Sequence, residues 1–329
     1  MITKKQAIII QGIPEIPGKI KFKMFSRSTW LHLRIPFSYF LMPVYLFALA
    51  ISPHLNPSRV LWSFLIVHLF LYPASNGYNS YFDKDEKSIG GLKNPPPVNK
   101  GLYYAALGFD AIAVILSFIK VNALFAVMIF IYGLVSKAYS HPGIRLKKYA
   151  VVGWLVAGLF QGFFTFVMCF AGINDFDIGG TLQSKVLFPA ALSSAMLWGN
   201  YPMTQVFQHE EDTLHGDHTM SLMLGIRGTF VFVQAVFVLA AIGFVFYFNS
   251  FYSSDYAYAF LTALGPVVLF FMYWFYRVWR DESKANFSNA MWLNFISATC
   301  LNAFFIYFFL ASRDKNVVLP INYITPLFG

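Results

Sequence analysis

The chain has 329 residues, of which 57% are hydrophobic, 19% aromatic and only 12% charged. A soluble domain carries roughly 25% charged residues, so this composition fits a membrane-embedded body and excludes disorder, collagen and coiled coil. The net charge of +9 would point to nucleic acid only if the basic residues gathered on one soluble face, and they do not.

The first 34 residues form a basic segment. Its part GKIKFKMFSRSTWLHLR (18–34) mixes Lys and Arg with Phe, Trp and Leu. Two readings fit: an amphipathic helix in the headgroup plane, or an unstructured basic leader. No cleavable signal peptide is visible, because Ala7–Ile10 is too short and Pro14 and Pro17 follow it.

Nine apolar runs follow, near 35–53, 59–82, 102–119, 122–140, 150–172, 185–207, 229–249, 258–278 and 290–311. About 20 apolar residues span a bilayer as helix. The runs are continuous, whereas a transmembrane barrel would alternate. The expected fold is therefore an all-α polytopic membrane protein, one nine-helix domain over 35–311 with a tail at 312–329. Cys169 and Cys300 both lie inside apolar runs, so no disulfide framework is legible.

With nine spans, the N-terminus and the loops after the even-numbered runs share one side, and that side holds nineteen of the twenty-four Lys and Arg. The other side has Arg59, Lys120, Lys185, Arg313 and Lys315. Such a bias predicts a cytoplasmic N-terminus and a C-terminus on the opposite side of an inner or plasma membrane. The basic excess is then topological, and no nucleic acid is expected.

Seven of the fifteen acidic residues sit in two places: Asp83, Asp85 and Glu86, then Glu210, Glu211, Asp212 and Asp217. Asp83 and Asp212 are 129 residues apart, each after an even-numbered run, which hints at duplication of a four-helix unit. Asn79 and Asp83 are four apart and share one helix face, after which Gly90-Gly91 and Pro95-Pro96-Pro97 end the helix. Oxygen donors in that pattern suit Mg²⁺, while a solvated acidic loop with a polar cap is the plainer account of the spacing alone.

Gln205, Gln208 and Asp212 recur at three- and four-residue steps, and amides at such a helix end are expected to face the bundle interior. His209, His215 and His218 fit no zinc spacing and read as interfacial histidines. Arg145, Lys147 and Lys148 place positive charge on the side of both acidic clusters. Cations and carboxylates together suit a diphosphate; each basic residue alone is ordinary loop charge. Asp110, inside the third run, has no evident task.

Together these three segments resemble the UbiA superfamily of intramembrane prenyltransferases. N-x-x-x-D at Asn79 and Asp83 is similar to its first motif, and YSHPGIRLK (139–147) to its loop motif. The stretch D-x-x-x-G-D-x-T-x-x-x-x-x-G (212–225) is similar to its second motif. The resemblance covers the whole chain and implies nine helices around a central cavity open to lipid. It implies a metal set of Asn79, Asp83, Asp85, Gln208, Glu211 and Asp212 for Mg²⁺, with Asn79, Asp83 and Asp212 catalytic. It further implies that Lys93, Arg145, Lys147, Tyr139, Gln205 and Gln208 bind an isoprenyl diphosphate, whose prenyl group passes to a lipophilic or aromatic acceptor. No obligate protein partner is implied.

Several positions depart from the family pattern. Lys87 stands where the first motif has another Asp, Gln208 where the second motif begins with Asp, and Asn94-Pro95 where Arg-Pro is usual. Two rivals stay open: a terpene cyclase that ionises the same diphosphate without a second substrate, and a transporter. Transporter sites lie near mid-membrane, whereas the charged clusters here lie at one face.

Overall fold

A computed structural model describes residues 26–314. Lys4, Lys5, Lys19, Lys21, Lys23 and Lys315, and most of the expected C-terminal tail, lie outside the described residues. The elements in chain order are α1 (Arg27–Leu33), a 3₁₀ turn (Ile35–Phe40) and α2 (Met42–Ile51). Next come α3 (Pro57–Asp83), α4 (Lys100–Lys120), α5 (Ala123–Ser140) and α6 (Ala150–Asn174). They are followed by α7 (Ser184–Gln205), α8 (His209–His215), α9 (Met220–Phe251), α10 (Ser254–Arg280) and α11 (Phe287–Asp314). The all-helical membrane class stands, and the protein is an integral membrane protein.

The count of spans needs correction. Among the described residues, seven helices are long and apolar enough to cross a bilayer, or eight if the bent pair Arg27–Phe40 and Met42–Ile51 forms one span. The expected sixth run, 185–207, is helical as α7 but falls short of the apolar threshold. It carries Ser193, Ser194, Asn200, Thr204 and Gln205, polar groups that the bundle interior tolerates and lipid does not. The expected first run, 35–53, is not one straight helix either: it bends by 44° where the 3₁₀ turn meets α2.

Helix starts follow local chemistry. The Asn56 side chain accepts from the Ser58 and Arg59 amides ahead of Pro57, and Asn122 caps α5 through the Phe125 amide, each satisfying amides that lack a helical partner. Gly225 bends α9 with φ +69°, a conformation that costs glycine little. Thr229 donates to the Gly225 carbonyl at 2.7 Å and so holds the bend.

Both α3 and α6 contain one π-helical turn, at Ile66–Leu71 and Leu159–Phe164. In α6 the turn is filled by α7: Ser194 Oγ donates to the Gly158 carbonyl and accepts the Phe163 amide, both at 2.8 Å. The backbones meet so closely that a Cβ on Gly162 would lie 2.5 Å from Ser194 Cα.

The contacts sort the connections to two ends of the bundle. At one end Arg59 and Asn122 bind Asp175 at 2.6 and 2.9 Å, and Arg313 donates to the Ser52 carbonyl. At the other end the segments 84–99, 141–149 and 208–219 meet. The Asp83–Asp212 symmetry is loose there, because Asp83 is the last residue of a long helix whereas Asp212 sits in the separate short helix α8.

Candidate functional site

Asn79 and Asp83 lie one turn apart at the end of α3, and Lys84, with φ +54°, stops the helix immediately after Asp83. The chain then folds back as a loop clamped by α1. His32 Nε2–H reaches the Pro96 carbonyl at 2.7 Å and Ser28 donates to the Pro97 carbonyl at 2.7 Å. Arg34 donates to the carbonyls of Gly90 and Asn76, at 2.9 and 3.4 Å. Residues 27–33 are therefore a helix with Thr29, His32 and Leu33 buried against the protein. Trp30 and Leu31 on the same helix stay exposed, and residues 18–25 of the expected basic segment lie outside the described residues.

Facing this loop, Arg145 makes a two-point bond to Asp217, Nε to Oδ1 at 2.7 Å and Nη2 to Oδ2 at 2.9 Å, and approaches Asp83 at 3.3 Å. Lys147 reaches Asp83 at 2.5 Å and Asp217 at 3.3 Å. Two cations and two carboxylates thus form a closed lattice whose acids are only 4% and 2% exposed. Burial alone raises a carboxylic acid and lowers a cation. Here the partners outweigh it: Asp217 is held below its ordinary value, mainly by Arg145, while Arg145 and Lys147 are held above theirs.

The other acids lack such compensation. Asp212 accepts from Thr219 Oγ1 at 2.9 Å, yet burial, with Asp217 and Asp85 nearby, pushes it up to about 7. Burial and then the neighbouring Asp83 push Asp85 up to about 6. Ligand atoms of Asp85, Glu211 and His215 lie within 4.8 Å of one another.

A proton on either acid is held more tightly in the folded chain than in the unfolded one, where it leaves near 3.8. Their contribution to stability is therefore greatest in acid and is lost as pH rises from about 4 to about 7. In EDTA the melting temperature should fall across that window, and Asp212→Asn should flatten the fall. A melting temperature that climbs through it in both proteins would contradict the assignment.

These residues surround a polar cavity of about 180 Å³. Asn79, Asp83, Asp85, Tyr139, Lys147, Gln205, Gln208 and Asp212 all line it. Gln205 accepts the Ser221 amide at 3.3 Å and Gln208 donates to the Ser88 carbonyl at 3.4 Å. Arg145 stands behind Asp83, and Glu211 is buried behind the loop, accepting the Lys87 amide at 3.1 Å. Lys93 is not brought in: it is exposed, and the loop turns it away from the cavity.

Arg34, Tyr201, His215 and Asp217 also line the cavity, although none of them is in the expected set of site residues. Arg34 reads in sequence as one more topological charge. Asp217 follows Asp212 across the turn at Gly216, where helical spacing no longer applies. His215 Nδ1 stands 3.8 Å from Asp85 Oδ1, at the mouth of the cavity it helps to line. Asp110 also gains a partner, an ion pair with Lys137 of α5.

Below the polar cavity lies a smaller pocket of about 60 Å³, and Ser75, Tyr139, Gln161 and Tyr201 line both. The hydroxyls of Tyr139 and Tyr201 are hydrogen-bonded at this junction. On the other side of α7 is an apolar cavity of about 220 Å³, walled by α2, α7, α9, α10 and α11.

The family model of the UbiA prenyltransferase family matches residues 40–297. The chain belongs to the UbiA prenyltransferase family. Solved structures share the fold of this UbiA-family protein at low identity. A UbiA homologue from Archaeoglobus fulgidus bound to GPP and Mg²⁺ is 16% identical, with a TM-score of 0.63 over 88% of this chain and 99% of the other. A UbiA homologue from Aeropyrum pernix K1 without ligand is also 16% identical, with a TM-score of 0.62 over 86% and 99%. A digeranylgeranylglyceryl phosphate synthase is 18% identical, with a TM-score of 0.55 over 86% and 98%. No curated protein sequence matches the chain.

Proposed function

We propose that this UbiA-family protein is an intramembrane prenyltransferase that binds an isoprenyl diphosphate in the polar cavity and passes its prenyl group to a lipophilic or aromatic acceptor. The observation that carries this reading is the joining of carboxylates with Lys147 and Arg34 in one cavity that shares Tyr139 and Tyr201 with a pocket inside the bundle. The A. fulgidus homologue bound to DMAPP and Mg²⁺ supports it.

The donors fit Mg²⁺. Asn79, Asp83, Asp85, Gln208 and Asp212 line the cavity with side chains that carry oxygen donors, and the Asp83 carboxylate is held there by ion pairs with Lys147 and Arg145. Such oxygens suit a hard cation that also keeps phosphate oxygens and waters. When bound there, Mg²⁺ would neutralise diphosphate charge and make it a better leaving group.

The chain's own residues do the rest. Lys147 and Arg145 exchange a carboxylate partner for phosphate oxygens, which charge-assisted hydrogen bonds favour. The Tyr139 and Tyr201 hydroxyls stand where the polar cavity meets the pocket. Tyr132 and Phe160 line the pocket below; such ring faces stabilise an allylic cation by roughly 0.5–2 kcal/mol each and exclude water that would quench it.

Purified protein given labelled geranyl, farnesyl or geranylgeranyl diphosphate with Mg²⁺ should release pyrophosphate, and EDTA should stop the release. Release indifferent to EDTA would refute the metal site. A cyclic terpene formed without added acceptor would replace transfer by cyclisation. The nineteen-to-five basic partition supports a cytoplasmic site end when α7 and the bent first segment are counted as crossings, and reporters inserted in the Lys84–Lys100 loop and after Gly329 should then land on opposite sides.

A further inference from the structure

Two cations that line the polar cavity, Arg34 and Lys147, are held in different ways. Lys147 contacts the carboxylates of Asp83 and Asp217, so its charge is balanced within the protein. Arg34 makes no ion pair among the described residues and rests instead on two backbone carbonyls, Nη1 donating to Gly90 at 2.9 Å and Nη2 to Asn76 at 3.4 Å. A carbonyl satisfies an N–H but cancels no charge. A guanidinium carries five N–H donors, so Nη1 and Nη2 each keep a second one. Arg34 is half-buried, and a cation taken from water without a counter-charge is costly. A cavity lined by such a group favours an anion.

Local structure fixes this guanidinium. Arg34 closes α1 with φ +46°, and the 3₁₀ turn that begins at Ile35 brings the Phe37 ring against it, its centroid 5.5 Å from the guanidinium carbon. Gly90 lets the loop backbone approach the pair, because a Cβ there would lie 2.9 Å from the Phe37 ring. The loop's own cation, Lys93, is exposed and outside the cavity lining. The charge that the loop between α3 and α4 does not deliver is supplied by α1.

We propose that Arg34 is a binding residue for the diphosphate, taking its non-bridging oxygens from α1 while Lys147 takes them from the loop after α5. This rests on the prenyltransferase reading above and adds to it a side chain from outside the three motif segments. A guanidinium presents paired N–H groups that fit two phosphate oxygens at once, which a lysine ammonium does not. Because the same guanidinium holds the Gly90 carbonyl, the bound anion, α1 and the loop at 84–99 form one hydrogen-bonded unit.

The test measures the binding of inorganic pyrophosphate with Mg²⁺ to the full chain in detergent by titration calorimetry. KM and kcat for pyrophosphate release from farnesyl diphosphate are measured in the same preparation, with a melting curve for each variant. Arg34→Met should weaken pyrophosphate binding and raise KM about 10- to 100-fold, the scale of a lost hydrogen bond between charged groups, with a smaller change in kcat. Arg34→Lys, which keeps the charge without the paired donors, should recover part of the loss. On the parent chain, pyrophosphate with Mg²⁺ should shield Arg34 from phenylglyoxal, read by mass spectrometry, a result that depends on no variant. Equal pyrophosphate affinity in the parent and a folded Arg34→Met protein, even with a reduced kcat, would make Arg34 a loop clamp only and overturn the assignment. Phenylglyoxal modification unchanged by pyrophosphate would overturn it as well, and in both cases turnover by the parent would leave the prenyltransferase reading standing. Pyrophosphate binding that depends on Arg34, without release from any prenyl diphosphate, would overturn that reading and keep the anion site.

Discussion

Asp83→Asn should lower Mg²⁺-dependent pyrophosphate release by at least ~10²-fold, the scale of losing one electrostatic stabiliser of a developing charge. The substitution keeps the shape of the side chain and removes its charge. Asp83 lines the polar cavity 5% exposed, and the neighbouring lining positions Asn79, Gln205 and Gln208 are neutral amides. Few carboxylates remain to balance a divalent ion, chiefly Asp83, Asp85 and Asp212. Asp212→Asn should therefore fall as far. Gln208→Ala, which removes a neutral donor, should cost less than either. Rates measured beside a melting curve separate lost chemistry from lost fold, and full turnover by a folded Asp83→Asn protein would remove Asp83 from the site.

The second large effect concerns stability. Arg145→Met would leave Asp217 and Asp83 with Lys147 as their only cation partner, and removing one member of a buried ion pair costs about 3–5 kcal/mol. The Arg145 side chain is 14% exposed and its two acids still less, so solvent does little to soften the loss. Adding Asp217→Asn should recover most of the difference, because it removes the stranded charge. The measurement is chemical or thermal unfolding of the parent, the two single variants and the double variant in one detergent. Additive losses would show that the lattice is not coupled.

The separation of spans from loops was legible because lipid demands continuous apolar runs. The face shared by Asn79 and Asp83 was legible because both belong to one helix. Gln205, Gln208 and Asp212 reach a common cavity although the helix breaks between Gln205 and His209, so their helical spacing pointed to the right face without one continuous helix. What lies between segments was not legible. Arg145 and Asp217 are 72 residues apart, and no periodicity links a left-handed loop residue to an acid beyond a glycine turn. Lys93 fails for the converse reason: proximity to Asp83 in sequence says nothing once α1 clamps the intervening loop through His32 and Arg34. The bend in the first span follows Pro36 and Pro43, each at the start of its helix, a signal that a count of apolar residues passes over. The chamber behind α7 is built from five helices with no shared motif.

The contact between Gly162 and Ser194 fixes where this bundle is able to breathe. Two backbones that meet without side-chain cushioning, joined by a serine wedged into a π turn, do not slide without breaking both hydrogen bonds. The α6–α7 seam is thus a keel. The opposite wall is joined by side chains instead: there the kinked first segment meets α11 through contacts such as Tyr39 to Thr299. In the proposed transfer an isoprenoid entering sideways from the bilayer would part these side chains rather than the keel.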